Sequence, residues 1–198
     1  WFHDQFPDAE LKVNAFVGWP VSAMEQLAAT GMVRVVDLKA HYAGDWVKRP
    51  DDPLAFSREV AAAFPDAILE DPAVGQYMAP FNAEHTERIS FDAPVHKVAD
   101  LQGLPSARWC NIKPSRFGSL RRLLECVDHC EAAGIGMYGG GQFELGPGRA
   151  QVQALASVLY PDAPNDVAPS AYNAVQPGAN LPTSPLPATT GVGFAAAI

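Results

Sequence analysis

Long hydrophobic runs are missing from this sequence of 198 residues. No run approaches the roughly 20 apolar residues that a membrane-spanning helix needs. Positive charge is also short: 14 lysines and arginines face 22 acidic residues, and the net charge is −8. A field of that sign repels nucleic acid and anionic membranes and welcomes a metal cation. Cysteine is scarce, at three. Cys126 and Cys130 fall on a predicted helix and Cys110 in a predicted strand. That odd, buried set argues for reduced thiols in a cytoplasmic protein and against a disulfide framework. The five histidines, His3, His41, His85, His96 and His129, lack zinc-ligand spacing. No basic–apolar–small leader pattern opens the given residues. The sequence opens on Trp1 and is expected to begin inside a longer protein.

What is present suits one sizeable core, with 48% hydrophobic and 18% charged residues. Apolar strands alternate with helical patterns and show no other internal repeat. Strands are predicted at 10–17, 32–38, 67–70, 87–92, 108–113 and 135–139. Between them, Val21, Met24 and Ala28 form one helical stripe, and Phe56, Val60 and Phe64 a second behind the Asp52–Pro53 start signal. Residues 73–86 are read as a loop, and 95–102 as a short helix. Leu120, Leu123, Leu124 and Val127 place a helix over 117–133, stopped by Gly134. Val152, Leu155, Ala156 and Leu159 mark the last one. Six strand–helix units with apolar strands imply an α/β fold with a parallel sheet covered by helices. From 161 to 198 prolines accumulate without periodicity. That tail is expected to extend from the 1–160 domain or pack back on it.

Charged residues gather at the strand ends. Asp37, Glu70 and Asp92 close three successive strands, Lys113 closes the next, Lys12 lies on the first, and Glu144 follows the sixth. The spacings of 33, 22 and 21 residues from Asp37 to Lys113 each fit one crossover. Chemistry in parallel α/β folds sits at this carboxyl end. One acid at a strand end is ordinarily a helix cap or a solvated residue. Three converging acids repel one another unless a cation neutralises them, and magnesium wants such oxygen ligands. Lys113 has a bland reading, a snorkelling side chain. Its other reading is a general base held on the same strand face as Asn111. The glycine-rich "YGGGQFELGPGR" fits no nucleotide-binding pattern cleanly and reads as backbone passing close to a crowded rim.

"AILEDP" (67–72), "ISFDAPVHKVADLQGLP" (89–105), "CNIKPSRFGSL" (110–120) and "YGGGQFELGPGRAQVQALA" (138–156) resemble, in order and spacing, the barrel domain of the enolase superfamily. The likeness is to the branch of mandelate racemase and muconate lactonizing enzyme, with its cycloisomerases, o-succinylbenzoate synthases and dipeptide epimerases. It implies a TIM-type (β/α) barrel, with the first strand and the N-terminal cap domain not seen here. It implies Mg2+ held by Asp37, Glu70 and Asp92. It also implies α-proton abstraction from a small-molecule carboxylate through a metal-stabilised enediolate, with Lys113 as base. Racemases, epimerases, cycloisomerases and dehydratases share that step. Lys12 matches the first lysine of the family's Lys-x-Lys pair, but Asn14 stands where the second should be. Lys39 replaces the asparagine of the usual Asp-x-Asn. It would either ion-pair with Asp37 and weaken the metal site or serve as the missing base. Asn14, Asn111 and Glu144 are the expected substrate contacts. A homo-oligomer and a cap domain in cis are the expected partners. The competing expectation, raised by Asn14 and Lys39, is a non-catalytic relative that keeps the fold.

Overall fold

The structure is a computed structural model that describes residues 2–42, 48–142, 144 and 146–167. Its elements alternate as the sequence pattern demands. They are α1 (Phe2–Gln5), β1 (Leu11–Asn14), α2 (Val21–Ala28), β2 (Val33–Asp37), α3 (Pro53–Ala63), β3 (Ile68–Glu70) and α4 (Ala79–Glu84). Then come β4 (Ile89–Phe91), α5 (Val98–Gly103), β5 (Trp109–Ile112), α6 (Leu120–Ala133), β6 (Gly136–Gly139) and α7 (Pro147–Leu159), with 3-10 turns at Thr86–Arg88 and Pro114–Phe117. The six strands form one parallel sheet in chain order. Neighbours in sequence are neighbours in space, so the sheet is wound in one direction and makes part of a (β/α) barrel; a complete barrel is not formed by the described residues.

Strand alternation sorts the side chains into two layers. On the helix-facing side, Val36, Leu69, Ile89, Phe91, Cys110 and Ile112 pack with Val60, Phe64, Phe81, Leu123 and Ala156. On the other side Val35, Ile68 and Tyr138 form a small floor. Asp37, Glu70, Asp92 and Asn111 follow on the same parity as that floor, and all are buried. The sheet therefore buries apolar residues beneath a polar layer at its carboxyl end.

Several elements differ from expectation. β1 stops at Asn14 instead of running to 17, because the chain turns at Gly18, which has a φ of 89°. The 73–86 segment contains α4, where Phe81 and Asn82 are buried. Residues 117–119 lie outside α6, where Ser119 caps the helix and accepts from Arg122 N–H. Leu120 and Leu124 are exposed, as is Val21 of α2. The buried stripe of α6 is Leu123, Cys126, Val127 and Cys130 instead. Buried thiols act here as small apolar side chains. All three cysteines are free and buried. Asp52 caps α3 as read, its Oδ1 accepting from Leu54 and Ala55 N–H at 3.0 Å each.

After α7 the chain returns to the sheet. Asn165 bridges Gly139 in parallel, with Gly139 N–H donating to Pro164 O at 2.8 Å and Asp166 N–H to Gly139 O at 3.0 Å. The rest of the expected proline-rich tail, 168–198, lies outside the described residues. No helix among the described residues is long and apolar enough to cross a membrane.

Candidate metal centre

The sheet's register explains how acids from different strands meet. Asp37 pairs with Glu70, and Glu70 with Ser90. Asp92 lies two residues beyond Ser90, and Lys113 four beyond Trp109, the partner of Ser90. The level of the site thus climbs along successive strands, as strand tilt in a barrel requires. One oxygen from each of Asp37, Glu70 and Asp92 lies within 4.8 Å of the others, and all three residues are buried.

Cations and donors surround this triad. Lys12 Nζ donates to Glu70 Oε1 at 2.6 Å and to Asp166 Oδ2 at 2.9 Å, and stands 4.0 Å from Asp37. Glu70 Oε2 accepts from Asn111 Nδ2 at 3.1 Å and from the Tyr138 hydroxyl. Asp92 faces Lys113 Nζ at 2.9 Å, Arg116 Nη1 at 2.6 Å and the Tyr42 hydroxyl at 2.7 Å. Asp71, with a φ of 50°, turns its carboxylate onto the N–H groups of Asp92 and Ala93 at 2.8 and 2.9 Å. It thereby fixes the backbone that presents Asp92.

The expected residues are not all equivalent. Lys12, Lys113 and Asn111 border the triad. Lys39 reaches Asp37, but not through the pleat of a strand. It follows β2 in a left-handed conformation, φ 56°, and its ammonium is ion-paired with Asp37. Asn14 pairs in register with Asp37 and is exposed. Glu144 stands on the β6–α7 loop, where Oε2 accepts from Gln142 N–H at 2.6 Å. The glycine run is there for room: a Cβ on Gly140 would lie 2.4 Å from Asp166 Oδ1 and 2.7 Å from Lys113 Cε. Sequence reasoning missed Asp71, Arg116, Tyr42, Tyr138 and Asp166. The paired acids of "LEDP" were a signal for Asp71. Asp166 gave none, being 154 residues from Lys12 in an aperiodic stretch.

The donor set fits a hard divalent cation. Three carboxylate oxygens converge out of contact with water, and magnesium or a similar ion takes such ligands. Burial, opposed by Lys12 and reinforced by Asp37 and Asp92, pushes Glu70 up to about 7. Burial, with Glu70 and Asp92, likewise pushes Asp71 up to about 7. Both shifts are led by desolvation and reinforced by neighbouring carboxylates. At Asp92 burial is outweighed by Lys113 and Arg116, and its pKa falls below the ordinary value.

A pH dependence follows. Glu70 and Asp71 hold protons in the folded chain that the unfolded chain releases near 4.5 and 3.8. Their contribution to stability is full below those values and is lost as pH rises towards 7. His41 and His85, lowered by burial, act in the opposite sense on the acid side of that window. Cys126, lowered to about 4 by hydrogen bonds with Cys110 and Cys130, opposes the carboxyl pair across the same window. The carboxyl part is isolated by difference: in EDTA, the Tm of the unmodified chain minus that of Glu70→Gln is expected to fall between about pH 5 and 7.5, and saturating Mg2+ to flatten that slope. A difference that rises throughout, in melts followed by circular dichroism, would count against the buried triad.

Comparison with known proteins agrees with this architecture. The family described as "Domain of unknown function (DUF8230) C-terminal domain" matches residues 2–174. The o-succinylbenzoate synthase of Bacillus subtilis (strain 168) is 40% identical over 85 residues, which is 41% of this chain and 23% of that protein. Among solved structures, an enolase-superfamily member from Listeria innocua Clip11262 superposes with a TM-score of 0.55 at 20% identity, over 82% of this chain and 52% of the other. The muconate lactonizing enzyme from Pseudomonas putida superposes with a TM-score of 0.57 at 20% identity, over 79% of this chain and 45% of the other. The chain spans about half the length of these two structures, and its aligned part spans less of the synthase. At such identity the structures speak for the fold. With its family description matched over residues 2–174, the chain belongs to the DUF8230 C-terminal domain family, and its β/α arc superposes on the barrels of the two solved structures.

Proposed function

We propose that this chain carries the barrel site of a Mg2+-dependent lyase or isomerase that removes the proton α to a substrate carboxylate, as a racemase, epimerase, cycloisomerase or dehydratase does. One observation carries the reading: three buried carboxylates from adjacent strands converge within 4.8 Å, with Lys12 against Glu70 and Lys113 against Asp92. Asp37, Glu70 and Asp92 would hold the cation, which when bound supplies Lewis-acid neutralisation of charge building on the substrate carboxylate.

The chain's own residues do the rest. Lys113, whose Nζ stands at the Asp92 edge of the triad, is the base that would take the α-proton, and the C–H electron pair would pass into the carboxylate. Lys12 lies at the other edge of the triad. Glu70, Asp166 and Asp37 outweigh the effect of burial on Lys12 and raise its pKa, so it serves as a fixed positive charge or a proton donor. Asn111 Oδ1 is buried without a partner and would accept a hydrogen bond from substrate. Asn14, at the end of β1, and Glu144, on the β6–α7 loop, would contact substrate at the rim. Substrate selection would fall to segments outside the described residues, a cap domain in cis among them. The free thiols suit the reducing cytoplasm.

A second reading, a non-catalytic relative that keeps the fold, is favoured by exposed Asn14 in the expected acid–base position and by Lys39 on Asp37. The two separate in heavy water. A panel of carboxylates is incubated with the full chain in Mg2+ or EDTA, and α-proton exchange is followed by NMR. Mg2+-dependent exchange is expected. Silence across the panel, with Mg2+ binding intact, would favour the second reading.

A further inference from the structure

Lys39 is held in a way that ordinary surface lysines are not. Its φ of 56° lies in the left-handed region, which among the described non-glycine residues it shares with Asp71 alone. A side chain there is strained, and such strain persists where the surroundings impose it. The turn folds Lys39 back onto Asp37 at both ends. Its N–H donates to Asp37 Oδ1 at 2.8 Å, and its ammonium is ion-paired with Asp37 Oδ2. One residue thus occupies both oxygens of a buried carboxylate. The ammonium also lies 4.3 Å from the centre of the Tyr42 ring, an attractive cation–π distance. Tyr42 in turn donates its hydroxyl to Asp92 Oδ2 at 2.7 Å. A single cation is therefore tied to two of the three candidate metal ligands, to Asp37 directly and to Asp92 through Tyr42.

We propose that Lys39 is a resident counter-ion of the carboxylate cluster, which a divalent cation must displace from Asp37, so that Lys39 weakens metal affinity and keeps the metal-free site assembled. This rests on the metal reading above. The ammonium and the metal seek the same oxygens. A cation held by a strained turn and an aromatic face competes at high local concentration, and every divalent ion that binds must first move it. The metal-free fold gains in return, because Asp37 is fully buried and needs a nearby positive charge.

The test measures metal binding, independently of turnover. Mn2+ alone is titrated calorimetrically into the full chain and into Lys39→Met and Lys39→Asn, with Asp37→Asn as a control. Methionine removes the charge at similar volume. Asparagine removes it and tolerates the left-handed backbone, so it guards against a variant that fails to fold. Both are expected to bind Mn2+ about tenfold or more tightly than the unmodified chain. Lys39→Met is expected to melt below the unmodified chain in EDTA and to close that gap in saturating Mn2+. Affinity unchanged or weakened in both variants overturns the role of Lys39 while leaving the metal site standing. An equal Tm deficit with and without Mn2+ makes Lys39 merely structural and overturns it as well. No Mn2+ binding by any of the proteins overturns both readings together.

Discussion

Replacing Lys113 by alanine is expected to slow α-proton exchange by about 10²–10⁴-fold, the range spanned by a positioned general base, while the rise in Tm on adding Mg2+ survives. The geometry separates the two effects. Lys113 leaves the end of β5 and lies 2.9 Å from Asp92, its side chain 9% exposed. Pro114 starts a 3-10 turn at once and Gly118 closes it at φ 70°, so the lysine is presented from a rigid corner. With alanine there, Asp92 keeps Arg116 and Tyr42 and remains oriented for a cation. At a hundred times Kd, ligand linkage is worth about 2.7 kcal/mol. For a domain of this size that is a Tm rise of about 5–10 °C. Exchange that survives in Lys113→Ala would remove it as the base. Loss of the Mg2+ effect along with exchange would make Lys113 a structural support of Asp92.

Replacing Asp92 by alanine is expected to be the most destabilising single change in the site, by about 3–5 kcal/mol, because it strands buried charge. The Lys113 and Arg116 side chains are 9% and 6% exposed, and both lose their short ion pair. Tyr42 also loses its acceptor. Against a typical domain stability of about 5–15 kcal/mol, the loss is about a fifth or more. Urea unfolding checks this, and Asp92→Asn, which keeps an acceptor oxygen, should lose less. A loss under about 1 kcal/mol would mean that water reaches these cations and that the site is far wetter than the structure has it.

Much of this site was legible in the sequence because it obeys a simple geometry. Asp37, Glu70 and Asp92 end successive strands, and strand parity places them on one face with the buried floor of Val35 and Ile68. Lys113 was legible for the same reason. Asp166 was not, since its only route to Lys12 is a return of the chain after α7, and nothing periodic marks that return. Arg116 sits in the 3-10 turn after β5 and Tyr42 in the segment after β2, where local sequence does not determine side-chain direction. The stripe of α6 was misread because Leu120 and Leu124 outrank cysteine in hydrophobicity, whereas position on the helix decides which residues are buried. One of the two expectations for Lys39 was an ion pair with Asp37. It does reach Asp37, but through a turn that only coordinates reveal.

The ion pair of Lys12 with Asp166 joins the two margins of the arc, β1 at one side and the returning segment beside β6 at the other. Among the described residues this collar is fastened by a side-chain clasp, and it behaves differently from a ring sealed by backbone hydrogen bonds all the way round. Any spreading of its lips loads the clasp first, and the clasp is the same ammonium that grips Glu70 at 2.6 Å. Spreading of the arc formed by the described residues would therefore act directly on the nitrogen that also holds Glu70.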